Sequence, residues 1–159
     1  DRGHKIGCHS FTHKYNHIYA DPENLRAEIR QWEKAVENAL GFVPAERLFR
    51  FPGGSATAKS PAIEQMLAEE GFRSFDWNAV NNDCMQHTRP SGMTVEEYMK
   101  DSTVTSVAYS LRMTNSPHIL LMHDTYLQTM EYLPWTIEYL TELGCTFGTL
   151  DELPGSWLH

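Results

Sequence analysis

Two histidines four residues apart bracket the segment His9-Ser10-Phe11-Thr12-His13. Imidazoles at this spacing lie on one face of a helical turn and can bind one divalent cation there. The chain holds 8 histidines, so an isolated pair of this kind is also read as a surface coincidence. Two imidazoles do not complete a catalytic zinc centre, which usually takes three protein ligands and keeps a position for water. Arg50 stands before the turn Pro52-Gly53-Gly54. It is either a surface arginine beside a loop or a buried guanidinium that orients a carboxylate, with backbone N–H groups of the turn facing a reacting centre. His123 ends the apolar run Ile119-Leu120-Leu121-Met122. It is either a core histidine with a backbone partner or a general acid or base. Asp83 either caps a turn or pairs with His123 and favours its protonated form. Trp77 and Phe51 are core residues or flank a sugar ring.

Positioning these groups falls to alternating helix and strand signals, which predict an α/β fold. Lys5-Ile6-Gly7-Cys8-His9 reads as a short strand entering a loop. Asp21-Pro22-Glu23 is a strong helix start, with an N-cap acid and proline at the first helical position. Leu25, Ile29, Trp32, Val36 and Leu40 follow at three- and four-residue spacing, and Gly41 closes the helix. Leu48 to Phe51 reads as a buried strand. Ser60-Pro61 opens a helix that runs to Gly71. The run from Phe72 to Val80 reads as a strand, and Asn81-Asn82-Asp83 as a turn. Thr94 starts a helix, with a second helical stretch from Val104 to Leu111. His118 to Met122 reads as the clearest buried strand, Tyr126 to Leu143 as the last long helix, and Cys145 to Phe147 as a final strand. Strands separated by helices imply parallel pairing through right-handed crossovers. Reactive residues in such folds sit at the carboxyl ends of strands, which is where His9, Arg50, Asp83 and His123 fall.

Composition narrows the function classes. At 159 residues, with 41% hydrophobic and 21% charged residues, the chain is long enough for a core and reads as a single domain over 1–159. The net charge of -8 argues against nucleic acid as a partner, since phosphate contacts need basic patches. No apolar run approaches the roughly 20 residues needed to cross a bilayer. Cys8, Cys84 and Cys145 are odd in number and widely spaced, which is no disulfide framework; all three read as small, partly buried side chains.

Taken in order, Gly3 to His13, Arg50-Phe51-Pro52-Gly53-Gly54, Trp77 to Asp83 and Leu121-Met122-His123 resemble the NodB-homology polysaccharide deacetylases, carbohydrate esterase family four. The motif H[ST]xxH is matched at His9 and His13, RxP at Arg50 and Pro52, the aromatic-to-Asp segment at Asp83, and LxH at Leu121 and His123. The resemblance implies a deformed (β/α) barrel with parallel strands. It also implies a divalent metal, zinc first with cobalt or nickel as alternatives, in an Asp-His-His site. His9 and His13 would be the metal histidines, His123 the general acid, Asp83 its partner, and Arg50 the residue that orients the base. Leu121 would line the acetyl pocket, with Pro52, Gly53 and Trp77 contacting substrate. The implied activity removes acetyl groups from N-acetylglucosamine units of peptidoglycan or a chitin-like polymer, outside the cytoplasm or at the cell surface. O-acetyl xylan esterase activity is the alternative within enzymes.

Three departures qualify the resemblance. The first motif, TFDDG or close to it, would supply the base and the third ligand ahead of His9, where the sole acid is Asp1. The expectation is therefore an N-terminally truncated domain, missing the first strand and helix of its barrel. Such a chain would have little activity alone and would self-associate through unpaired strand edges. A non-catalytic glycan-binding relative is the rival from another class. Cys84 stands where many members carry Trp, and Gly53 where many carry an aromatic residue, so two walls of the groove differ.

Overall fold

A computed structural model describes residues 3–58, 60–113 and 117–158. In chain order the elements are α1 (Tyr15–Ile18), α2 (Pro22–Leu40), β1 (Leu48–Phe49), α3 (Ser55–Ala58), α4 (Pro61–Glu69), β2 (Arg73–Ser74), β3 (Ala79–Val80), a 3₁₀ turn (Asp83–Thr88), α5 (Val95–Arg112), β4 (Leu120–Leu121), α6 (Leu127–Glu142) and a second 3₁₀ turn (Leu150–Glu152). The chain divides into two compact units, residues 1–76 with 148–159 and residues 77–147.

In the first unit β1 and β2 pair in parallel, Leu48 opposite Arg73 and Phe49 opposite Ser74. Cys8 bridges Phe49 on one side and Trp157 bridges Phe75 on the other, both in the parallel sense. The expected strand from Lys5 to His9 is thus a single bridge residue, with Cys8 N donating to Leu48 O and Arg50 N to Cys8 O. Helix α2 forms as its sequence predicts. Asp21 accepts from the Glu23 backbone, proline sits in the first turn, and Gly41 closes the end with a left-handed backbone. The apolar face fades along the helix: Leu25 and Ile29 are buried, Trp32 and Val36 half-buried, and Leu40 exposed. The core joins Cys8, Ile18, Leu25, Ile29, Phe49, Phe51, Ile63, Met66, Leu67 and Phe72. Phe49 meets Phe51 and Phe72 edge to face, the arrangement aromatic quadrupoles prefer.

In the second unit β3 and β4 pair in parallel, Ala79 opposite Leu120 and Val80 opposite Leu121. Helix α5 is one helix where the sequence suggested two. It opens on a reciprocal capping box between Thr94 and Glu97, which satisfies two otherwise unpaired N–H groups. The run from Phe72 to Val80 is not one strand. Asp76 N bonds to Trp157 O, whereas Asn78 N and Ala79 N bond to Ile119 O, so the backbone changes partner inside the run. The His118–Met122 stretch is a strand over two residues only, and these are half-buried. Helix α6 continues through Pro134. Cys145 N donates to Leu140 O past the left-handed Gly144. That bond closes α6 and takes the N–H the expected strand at Cys145 would have offered a neighbour.

Phe49→Ala removes a ring that is 1% exposed and should cost about 3–5 kcal/mol. Phe42→Ala, at 59% exposure, should change stability by less than about 0.5 kcal/mol. Urea unfolding of the two variants checks the ranking.

Candidate functional site

Four of the candidate residues follow the carboxyl end of a short parallel segment. His9 follows the Cys8 bridge, Arg50 follows β1, Asp83 lies beyond β3 and His123 beyond β4. Parallel neighbours release their chains at the same end, so His9 meets Arg50 in one unit and Asp83 meets His123 in the other.

In the first unit the His9 and His13 rings lie 5.0 Å apart between centroids, edge to face. The helical turn expected to bring them together is absent. A loop does it instead, with Ser10 and His13 both in the left-handed region at φ 61° and 58°. A non-glycine residue held there costs about 1–3 kcal/mol, so the surroundings must impose the conformation. Ser10 Oγ accepts from His13 N at 3.0 Å. The Glu28 carboxylate, buried on α2 at 1% exposure, accepts from Phe11 N at 2.8 Å, Thr12 N at 2.6 Å and Thr12 Oγ1 at 2.8 Å. Burial pushes the Glu28 carboxyl up. The Thr12 backbone and hydroxyl and the Phe11 backbone outweigh it, and the group ionises below its ordinary value.

His9 Nδ1 lies 2.8 Å from the Arg50 carbonyl oxygen. A carbonyl only accepts, so Nδ1 carries the proton and Nε2 is the lone-pair nitrogen of the neutral ring. Metal-ligating histidines are commonly oriented by such a bond. Arg50 is half-buried, and its Nε donates to Phe75 O at 3.2 Å. Burial lowers its guanidinium, with the Asp76 charge opposing. Asp76, 1% exposed, accepts from Ser55 through the backbone at 3.0 Å and through the hydroxyl.

Phe51-Pro52-Gly53-Gly54 closes with Gly54 N donating to Phe51 O at 2.8 Å. Proline second and glycine third, at φ +76°, are what a type II turn requires. Tyr19 Oη donates to Pro52 O at 2.7 Å. A Cβ added to Gly53 would meet Thr57 Oγ1 at 3.0 Å and Tyr15 Cζ at 3.2 Å. The Tyr15 ring thus stands beside the place an aromatic side chain at Gly53 would start.

In the second unit Asp83 is 1% exposed and accepts four hydrogen bonds. Oδ1 takes Cys84 N at 2.8 Å and His123 Nδ1 at 2.7 Å; Oδ2 takes His123 N at 2.6 Å and Thr129 Oγ1 at 2.7 Å. Burial raises the carboxyl, but the His123 backbone and side chain and the Thr129 hydroxyl outweigh it and hold it below its ordinary value. His123 is therefore oriented twice by one carboxylate. Leu121 is half-buried on β4 opposite Val80, and Trp77 is half-buried just before β3.

Donor atoms of Asp83, Cys84 and His123 lie within 4.8 Å of one another. Both Asp83 oxygens already accept two hydrogen bonds each, and burial followed by the Asp83 charge pushes the Cys84 thiol up, which disfavours the thiolate a metal would take. The cluster is built as an acid–imidazole pair rather than as a cation centre. Of the three cysteines expected to be partly buried, only Cys145 is; Cys8 is buried and Cys84 is exposed.

Glu28, Asp76, Thr129, Tyr15 and Tyr19 were not singled out from sequence. Glu28 is signalled by an acid on the apolar stripe of α2, three residues after Leu25 and next to Ile29. Asp76 is signalled by an acid inside an aromatic run. Thr129 carries no such signal.

Residues 1–74 match the family profile described as polysaccharide deacetylase. A peptidoglycan-N-acetylglucosamine deacetylase of Bacillus cereus is 26% identical over 152 residues, covering 94% of this chain and 51% of that protein. One of Listeria monocytogenes is 27% identical over 160 residues, 100% of this chain and 29% of that protein. The chain thus spans about half or less of the curated relatives it matches. The structure of a Streptococcus mutans CE4 esterase superposes with a TM-score of 0.76 at 28% identity, covering 92% of this chain and 63% of that one. A Bacillus cereus polysaccharide deacetylase superposes with a TM-score of 0.76 at 24% identity over 98% of this chain and 72% of its own.

A carboxyl whose folded pKa lies below its unfolded one stabilises above the unfolded value, and that contribution vanishes as pH falls through the folded value. Asp83→Asn should therefore lower stability near about pH 7 by about 1–3 kcal/mol. It should also flatten the acid-side loss the parent shows below the ordinary carboxyl value of 3.8. Urea unfolding as a function of pH measures both; equal slopes for parent and variant would contradict the role given to Asp83.

Proposed function

We propose that the chain, which matches the polysaccharide deacetylase family over residues 1–74 and peptidoglycan-N-acetylglucosamine deacetylases over 94–100% of its length, serves hydrolytic removal of acetyl groups from N-acetylglucosamine units of a polysaccharide, peptidoglycan first. The observation that carries the reading is the His123–Asp83 pair. A buried carboxylate fixes the imidazole at Nδ1 and leaves Nε2 to deliver a proton, the task an amine leaving group demands. The names of the relatives in Bacillus cereus and Listeria monocytogenes support the amide-linked substrate, which in turn implies work outside the cytoplasm. Among the described residues no helix is long and apolar enough to cross a membrane.

His9 and His13 fit a divalent cation by donor chemistry. Their rings adjoin, and the Arg50 carbonyl sets the His9 tautomer. Zinc is the first choice, and imidazole donors also accept cobalt or nickel. Such an ion, when bound, polarises the acetyl carbonyl and lowers the pKa of a water. The family pattern gives the third ligand and the general base to an Asp-Asp motif ahead of His9; residues 3–8 contain no acid. Within the first unit the chain's own residues divide the work. The Gly53 N–H lies on a turn held by Tyr19 and is the donor for developing charge on the acetyl oxygen. Arg50, beside Asp76, orients the carboxylate that acts as base. In the second unit the family pattern gives Leu121 the acetyl pocket and Trp77 a substrate contact. In this reading the strands belong to a deformed (β/α) barrel, the fold of the solved relatives.

Acetate release by the complete product of the gene should be seen with N-acetylated peptidoglycan or chitooligosaccharides. His123→Ala should lower kcat by about 10²- to 10⁴-fold. Release from acetylated xylan alone would replace the reading with an ester hydrolase, and no release from any substrate with zinc present would leave a glycan-binding relative. Chelation should abolish activity and zinc restore it. His9→Ala should weaken zinc binding by more than the roughly 10- to 100-fold lost with an outer-shell partner; equal zinc affinity in parent and variant would remove His9 from the site.

A further inference from the structure

We propose that Glu28 is a positioning residue that holds His9 and His13 at ligating separation; the inference rests on reading those two as the metal pair. Three observations converge on it. The carboxylate is almost completely buried, and its three hydrogen bonds all go to Phe11 and Thr12, the middle of the five-residue segment. Ser10 and His13, the residues flanking that middle, have left-handed backbones without being glycine. The Ser10 hydroxyl accepts from His13 N, which closes the loop on itself, and His9 Nδ1 bonds to the Arg50 carbonyl at the loop's start. Glu28 alone among these partners ties the loop to a long helix, beside the core residues Leu25 and Ile29.

The chemistry is specific to a carboxylate. Phe11 N, Thr12 N and Thr12 Oγ1 are all donors, and an ionised carboxylate offers acceptors only, on both oxygens. A glutamine keeps the shape but points N–H groups at one set of donors. An alanine leaves the Phe11 and Thr12 N–H groups without this acceptor. In either case the loop loses the bonds that offset its left-handed residues, and the two rings lose their fixed separation. The Glu28 bonds go to the residues between the two imidazoles, so it acts through the loop.

The test uses the full chain and two readouts. In the metal-free protein, Glu28→Gln should shift and broaden the His9 and His13 imidazole resonances and speed amide exchange at Phe11 and Thr12. The His118 resonance, whose ring bonds to Ser110 in the other unit, should stay unmoved. With cobalt added, the affinity of the variant should fall about 10- to 100-fold. If Glu28→Gln does not fold, Thr12→Val removes one donor from the loop side and should move the same resonances to a smaller extent. Resonances that superimpose on the parent's overturn the proposal, as does unchanged cobalt affinity in a protein that binds cobalt. A parent that binds no cobalt ends the metal reading of His9 and His13, and the metal-free resonances then decide the role of Glu28 alone.

Discussion

A backbone N–H taken from water must find an acceptor, and at the reactive loops of this chain the acceptors are buried carboxylates. Glu28 takes the N–H groups of Phe11 and Thr12, Asp76 that of Ser55, and Asp83 those of Cys84 and His123. Each acid is 1% exposed. Each also takes a hydroxyl, from Thr12, Ser55 or Thr129. Loops after strands of only two residues have little ladder to hold them. The carboxylates supply the missing restraint, and the charge that restrains the backbone is on hand for chemistry as well.

The two kinds of local work are visible in Asp83. Its bonds to Cys84 N and Thr129 Oγ1 are structural, joining the start of a 3₁₀ turn to the first turn of α6. Its bonds to His123 set a ring. Stability and orientation therefore rest on one side chain, and a substitution there reads in both. His9 shows the complementary case, in which a backbone carbonyl rather than a carboxylate fixes the tautomer.

Helices were legible in the sequence where their ends carry local chemistry. Asp21-Pro22 and Gly41 delimit α2, and Thr94 with Glu97 opens α5. Strands were legible in place but not in length. Apolar runs such as Phe72 to Val80 mark burial, and burial does not reveal where a backbone changes partner; that happens at Asp76, through bonds to residues dozens of positions away. The motif residues His9, His13, Arg50, Asp83 and His123 were identifiable by type and order. The loop that joins His9 to His13 was not, because left-handed Ser10 and His13 are imposed by Glu28 from another element rather than preferred by their own side chains. Thr129 was hidden for the same reason: its partner lies 46 positions away.

Because Glu28 projects from the second turn of a 19-residue helix, its reach depends on angular phase. Each residue inserted or deleted between Asp21 and Glu28 turns the carboxylate by about 100° about the helix axis, away from the segment it holds. Length changes after Trp32 leave that phase intact and fall where the apolar face is already thinning towards the exposed Leu40. The helix is thus a spacer with an unequal tolerance for indels, rigid in its first two turns and permissive in its last.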